Sequence, residues 1–170
     1  PDARIYRNDA ALPRAFLVDR QRPVDGEDAA LVAISSPGFR PRTEAITERP
    51  VPGIADVSES PAGTSPGAAR LTSYEPERVE VRTQARRSSL LVLTDVHYPG
   101  WRAEVDGREA PVERVDYLLR AVRVPAGAHT VEFAYRPASW RAGWIVSVVA
   151  LLVLIALVLV GLRRHRAQAA

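Results

Sequence analysis

The chain of 170 residues contains no cysteine and no methionine, and because all 23 of its basic residues are arginine it contains no lysine either. The missing cysteine excludes disulfides and thiol chemistry but leaves the compartment open, since many exported bacterial domains lack disulfides. Without lysine there can be no Walker-type phosphate-binding loop, and a G-x-S-x-G nucleophile elbow is also absent. With no initiator methionine, a chain beginning at Pro1 is expected to be a processed form or a fragment. Asn8 is the only asparagine. Arginine and alanine richness beside these absences points to a GC-rich bacterial genome.

Polar side chains are almost missing from one long stretch. Trp144 to Leu162 reads WIVSVVALLVLIALVLVGL, uncharged, with Ser147 as its one clearly polar side chain. As a helix, nineteen residues at ~1.5 Å each span roughly 28 Å, close to the hydrocarbon thickness of a bilayer. A buried core helix of that length would carry a polar stripe, and none is visible. The sequence therefore predicts a transmembrane helix over 141–162, an extracytoplasmic domain over 1–140 and a basic cytoplasmic tail over 163–170.

The basic balance belongs to the flanks of that stretch. With Arg141, Arg163, Arg164 and Arg166 set aside, positions 1–140 carry 19 basic against 20 acidic residues, so no basic domain exists to hold phosphates and no nucleic acid is expected as a partner. Arg163, Arg164 and Arg166 follow the apolar run, whereas Arg136 and Arg141 precede it; the positive-inside bias places the C-terminus in the cytoplasm. Trp140 and Trp144 suit the outer interface, where an indole buries its ring and keeps its N–H wet. Residues 1–30 hold no apolar run long enough for export, so a signal peptide or earlier spans are expected upstream. The apolar run plus arginines also looks like a cell-wall sorting signal, but RPASWRAG supplies no LPxTG-like site.

Before the apolar run, β signals dominate. Residues 4–8 and 14–18 are short β-prone runs. Residues 27–35 read as a helix with Asp25 as N-cap and Pro37-Gly38 as its stop, and 43–48 read as another strand. Proline, glycine and serine from Arg49 to Ala68 predict a loop. Strands follow over 78–83, 89–96, 101–105, 112–115, 118–124 and 130–135, with Asp106-Gly107 as a tight turn. Ser89 to Val96 is nearly continuous in apolar residues, as a central strand should be. Leu91, Leu93, Val122, Val124, Val131 and Phe133 form the expected core. Strands at this spacing predict an antiparallel, jelly-roll-like β-sandwich with one short helix.

Chemistry-bearing groups are sparse. His97, His129 and His165 lie too far apart for a zinc motif, and neither metal nor cofactor is expected. Asp95, Glu104, Asp106 and Asp116 would serve a glycosidase only if two met within ~5 to 10 Å; the plainer reading gives Asp106 a turn and Asp95 a strand end. The segment DVHYPGWRAEVDG is the most distinctive. Tyr98 and Trp101 on a rigid Pro-Gly turn, beside Asp95, His97 and Arg102, have the composition of a glycan-stacking platform; the plainer reading, preferred for Trp101, has its ring plug the sandwich core.

The order of motifs LPRAFLV, PGF, LLVLTD, HYPGW, VDG, LLRAVRVPAGAH and VEFAYRP, ending in an apolar run, resembles the C-terminal region of bacterial multi-pass membrane proteins of the YfhO family. Leu90 to Pro137 carries the most specific part. His97 stands where an aromatic is expected and Asp116 where asparagine is expected. The resemblance implies the tail of a polytopic protein similar to GT-C glycosyltransferases, which take sugars from polyprenyl-phosphate carriers and glycosylate cell-envelope polymers such as lipoteichoic acid. It places the catalytic acid in an early loop that this chain does not contain. Implied partners are the bilayer, the upstream spans, and cell-envelope glycan or a polyprenyl-phosphate sugar; a purely structural or protein-binding sandwich is the alternative.

Overall fold

The structure, a computed structural model, describes residue 8, residues 11–58 and residues 65–168, with residues 138, 141, 142 and 158–168 described as backbone only. The chain divides into two compact units, residues 1–135 and residues 136–170.

Two sheets make up the first unit. The seven-stranded sheet runs in the order β1 (Ala15–Val18), β7 (Ser89–Val96), β11 (Leu119–Val124), β10 (Glu113–Val115), β3 (Ala45–Thr47), β2 (Arg20–Pro23), β4 (Ala55–Asp56). The five-stranded sheet runs β5 (Gly67–Tyr74), β6 (Arg78–Ala85), β12 (Gly127–Tyr135), β8 (Trp101–Val105), β9 (Arg108–Ala110). One short helix, α1 (Gly26–Ile34), sits between β2 and β3 in sequence. Asp25 occupies its N-cap position in extended conformation but makes no side-chain capping bond.

Alternation along the strands explains the layering. Leu91 and Leu93 on β7, Val122 and Val124 on β11, and Ala15 and Leu17 on β1 point toward the second sheet. There they meet Val79, Val81, Ala103, Val131 and Phe133. The intervening residues Phe16, Val18, Leu90, Val92 and Ala121 point the other way, into a second core completed by Ala45, Val51, Ile54 and Val115. The first sheet is thus buried on both faces, and this is why β1 and β7 are apolar at consecutive positions rather than alternating. All six core residues expected from the sequence are fully buried.

Two expectations need correction. Pairing is not antiparallel throughout, because β2 runs parallel to both β3 and β4. Arg20-Gln21-Arg22-Pro23 has no apolar periodicity; Gln21 holds it by donating to the carbonyls of Val51 and Ile54 and accepting from the Val51 N–H at 2.7 Å. The stretch 49–68 is not wholly loop, since β4 lies inside it and β5 begins at Gly67. Gly67 has φ +141°, and a Cβ there would fall 2.1 Å from the Gln84 carbonyl oxygen, so only glycine lets β5 start against β6. The predicted strand at 4–8 lies, apart from Asn8, outside the described residues.

The second unit consists of α2 (Ala138–Gln168), a continuous helix of 31 residues. Trp140, Trp144 and most apolar side chains from Ile145 to Leu157 are exposed. Over the described residues no helix is long and apolar enough to cross a membrane; the part of the apolar run described in full ends at Leu157.

Candidate functional site

At one end of the sandwich, the C-terminal ends of β5, β7 and β12 meet the start of β8. Asp95, near the end of β7, is the hub of this end. Its Oδ2 accepts from Arg120 Nη2 at 2.8 Å, and its Oδ1 accepts from Arg14 Nη1 at 2.8 Å and from the Tyr74 hydroxyl at 3.1 Å. Arg120 shares the inward face of β11 with Val122 and Val124, and its side chain is only 3% exposed. Its guanidinium carbon lies 3.7 Å from the Trp101 ring centroid and 5.7 Å from that of Phe133. Among the described residues the Arg120 Nε has no hydrogen-bond partner; the flanking aromatic faces compensate in part, as rings do for a weakly hydrated guanidinium. Burial lowers the Arg120 pKa from its ordinary value and the Asp95 carboxylate opposes that shift.

Aromatic rings continue the cluster outward. Tyr135, the last residue of β12, packs at 5.4 Å between centroids against Trp101 and at 6.3 Å against Tyr98. Arg14 sits 5.0 Å over Tyr74. Tyr98 is 60% exposed. Trp101 is partly buried against the inter-sheet core.

The five residues singled out in DVHYPGWRAEVDG therefore have separate fates. Asp95 and Trp101 are joined through Arg120, and Tyr98 reaches Trp101 through Tyr135. Arg102 alternates with Trp101 on β8, so it faces outward and lies 3.6 Å from Glu109. His97 lines a different cleft of about 500 Å³ with Glu48, Arg49, Glu113 and Arg114. Burial, and after it the Arg114 cation, pulls its imidazole below the usual value. Arg114 is itself held by Glu48 at 2.6 Å and by Glu27 at 3.4 Å.

Arg120, Tyr135, Tyr74 and Arg14 escaped the sequence reading. One signal was available: in LRAVRV, Arg120 stands in phase with the core positions Val122 and Val124. Such an arginine must find a buried counter-charge, and Asp95 is that partner.

The remaining acids of the region are apart. Asp106, at φ +51°, opens the tight turn before Gly107 and accepts from the Thr130 N–H at 2.9 Å. Its Oδ2 lies 2.6 Å from His129 Nδ1, an interaction that lowers the Asp106 pKa and raises that of His129. Asp116, at φ +48°, binds Ile46 twice: its N–H donates to the Ile46 carbonyl and its Oδ1 accepts from the Ile46 N–H at 2.8 Å. Burial is the main cause that pushes its pKa up to about 6.

The fold and the site define a two-sheet β-sandwich closed at one end by a buried aspartate–arginine pair under a layer of aromatic rings, with a helix rich in apolar residues following it in the chain. Residues 64–147 match the family model described as bacterial membrane protein YfhO, and the chain belongs to that family. No curated protein and no solved structure matches it.

Proposed function

We propose that this chain is the extracytoplasmic accessory sandwich and final membrane anchor of a polytopic, GT-C-like glycosyltransferase of the bacterial cell membrane, acting in cell-envelope polymer glycosylation. One observation carries the reading: the family match runs from β5 through the sandwich and on into the first ten residues of α2. The helical backbone from Ala138 to Gln168, the uncharged sequence from Trp144 to Leu162 and the arginines at 163, 164 and 166 support α2 as a span with the C-terminus in the cytoplasm. Trp140, Arg141 and Trp144 fit its outer boundary. Catalysis falls to the upstream spans, with a polyprenyl-phosphate sugar as donor. With the native upstream sequence present, a reporter fused after Ala170 is expected inside the cell and one inserted after Ser58 outside. An inside location for the Ser58 reporter overturns orientation and localisation together.

The open ring of Tyr98 favours a second reading, contact with cell-envelope glycan. Against it stands the engagement of both Asp95 oxygens by Arg14, Tyr74 and Arg120, which favours a structural role for the rest of the cluster. Under the glycan reading, Tyr98→Ala abolishes glycan binding in an NMR titration and leaves the thermal midpoint within a few degrees, since an exposed side chain carries little packing energy. No binding by the unmutated domain sinks it.

A further inference from the structure

The sandwich unit leaves few large apolar side chains open to solvent, and they are not scattered. Among the described residues these are Leu31, Val32, Tyr74, Val96, Tyr98 and Leu118. The last four lie at the end closed by the Asp95–Arg120 pair, each with about half or more of its surface open. Four contacts place them at that end. The His97 N–H donates to the Leu118 carbonyl, Val96 pairs with Leu119, Tyr98 packs on Tyr135, and the Tyr74 hydroxyl binds Asp95. Exposed apolar groups gathered in one place mark an interaction surface, whereas single ones need no explanation.

Chain connectivity says what lies close to this end. Tyr135 belongs to it, and only Arg136 and Pro137 separate Tyr135 from the first residue of α2. Three residues at full extension and six of helix set an upper bound of roughly 20 Å between Tyr135 and Trp144, the start of the apolar run, at any angle of the helix. We propose that the Val96, Tyr98 and Leu118 tip of the sandwich rests in the headgroup region of the bilayer that α2 enters, as a second, peripheral membrane contact. This proposal rests on the reading of α2 as a membrane span.

Side-chain chemistry at this end suits that environment. Tyrosine is at home where one end of a side chain is apolar and the other wet, and Val96 and Leu118 supply apolar bulk beside it. Glu75 and Glu77 are exposed on the hairpin next to Tyr74, so the contact depends on apolar burial rather than on anionic lipid. The tip is carried by the last residue of β7 and by two loops, 97–100 and 116–118. The second contains two residues in left-handed backbone, Asp116 and Tyr117, held by the paired bonds of Asp116 to Ile46, and these present Leu118 outward.

The absence of cysteine makes the test direct, because each introduced thiol is unique. Val96→Cys, Tyr98→Cys and Leu118→Cys variants of the 170-residue chain would carry an environment-sensitive fluorophore in zwitterionic phosphatidylcholine vesicles with and without lipid-borne quencher. Val32→Cys on α1 serves as the aqueous reference and Leu152→Cys on α2 as the reference for the span; circular dichroism checks the fold of each. The expected result is quenching at 96, 98 and 118 several-fold above that at 32. Quenching at 152 with all three tip labels matching position 32 overturns the tip contact and leaves the anchor standing. No quenching at 152 overturns both. Tip labels that match position 32 in lipid but become shielded on adding lipoteichoic acid, or only when the upstream spans are present, assign the surface to glycan or to protein and overturn the lipid contact.

Discussion

The guanidinium of Arg120 lies 3.7 Å over the indole of Trp101, which joins β11 of one sheet to β8 of the other at the end of the sandwich. Asp95 neutralises the arginine from the same sheet, and Tyr74 reaches Asp95 from the opposite one.

Removing the counter-charge should expose the cost of burying Arg120. Asp95→Ala leaves a cation that is 3% exposed without its carboxylate, so unfolding free energy is expected to fall by ~3 to 5 kcal/mol in a urea titration of the solubilised chain. A loss below ~1 kcal/mol would mean that water enters and solvates Arg120.

Phe133 is fully buried between the sheets and touches the cation stacked on Trp101. Phe133→Ala should cost ~3 to 5 kcal/mol through lost transfer energy and the cavity left behind. The same titration measures it, and a small change would show that the inter-sheet core collapses to fill the gap.

Asp116 should make stability depend on pH. Its carboxyl titrates near 3.8 in the unfolded chain and at about 6 in the folded one, so the folded state holds its proton more tightly. The contribution is fully present below the unfolded value and is lost as pH rises through the window from about 4 to 6. About two pKa units correspond to roughly 3 kcal/mol of destabilisation at pH 7. Asp116→Asn keeps the acceptor for the Ile46 N–H, tolerates the positive φ and carries no charge. The variant should be more stable than the parent at pH 7, with the two converging near pH 4 in thermal melts. Parallel curves across that range would show that Asp116 is hydrated when folded.

Gly67→Ala should loosen the edge of the smaller sheet. The added Cβ meets backbone on β6, at 2.1 Å from Gln84 O and 3.0 Å from Ala85 Cα, and this cannot be relieved by a rotamer change. Amide exchange in β5 is expected to speed up with a stability loss above ~1 kcal/mol. Unchanged protection across β5 would mean that the strand shifts at no cost.

The sequence by itself determined the β character, the central position of Ser89 to Val96, the inward faces of β11 and β12, the Asp106-Gly107 turn and the family, because each rests on local alternation, turn chemistry or motif order. It also showed where an apolar helix begins. Tertiary structure alone decided three things. Arg20 to Pro23 became a parallel strand because Gln21 satisfies the 51–54 loop from a distance of thirty residues in sequence. Gly67 to Tyr74 became an edge strand because its small residues fit against β6, although Leu71 is its only large aliphatic side chain. Asp95 became a structural hub rather than a free ligand because Arg120, Tyr74 and Arg14 reach it from three other segments. Periodicity reports which way a side chain points, but the partner it meets there depends on how distant segments pack.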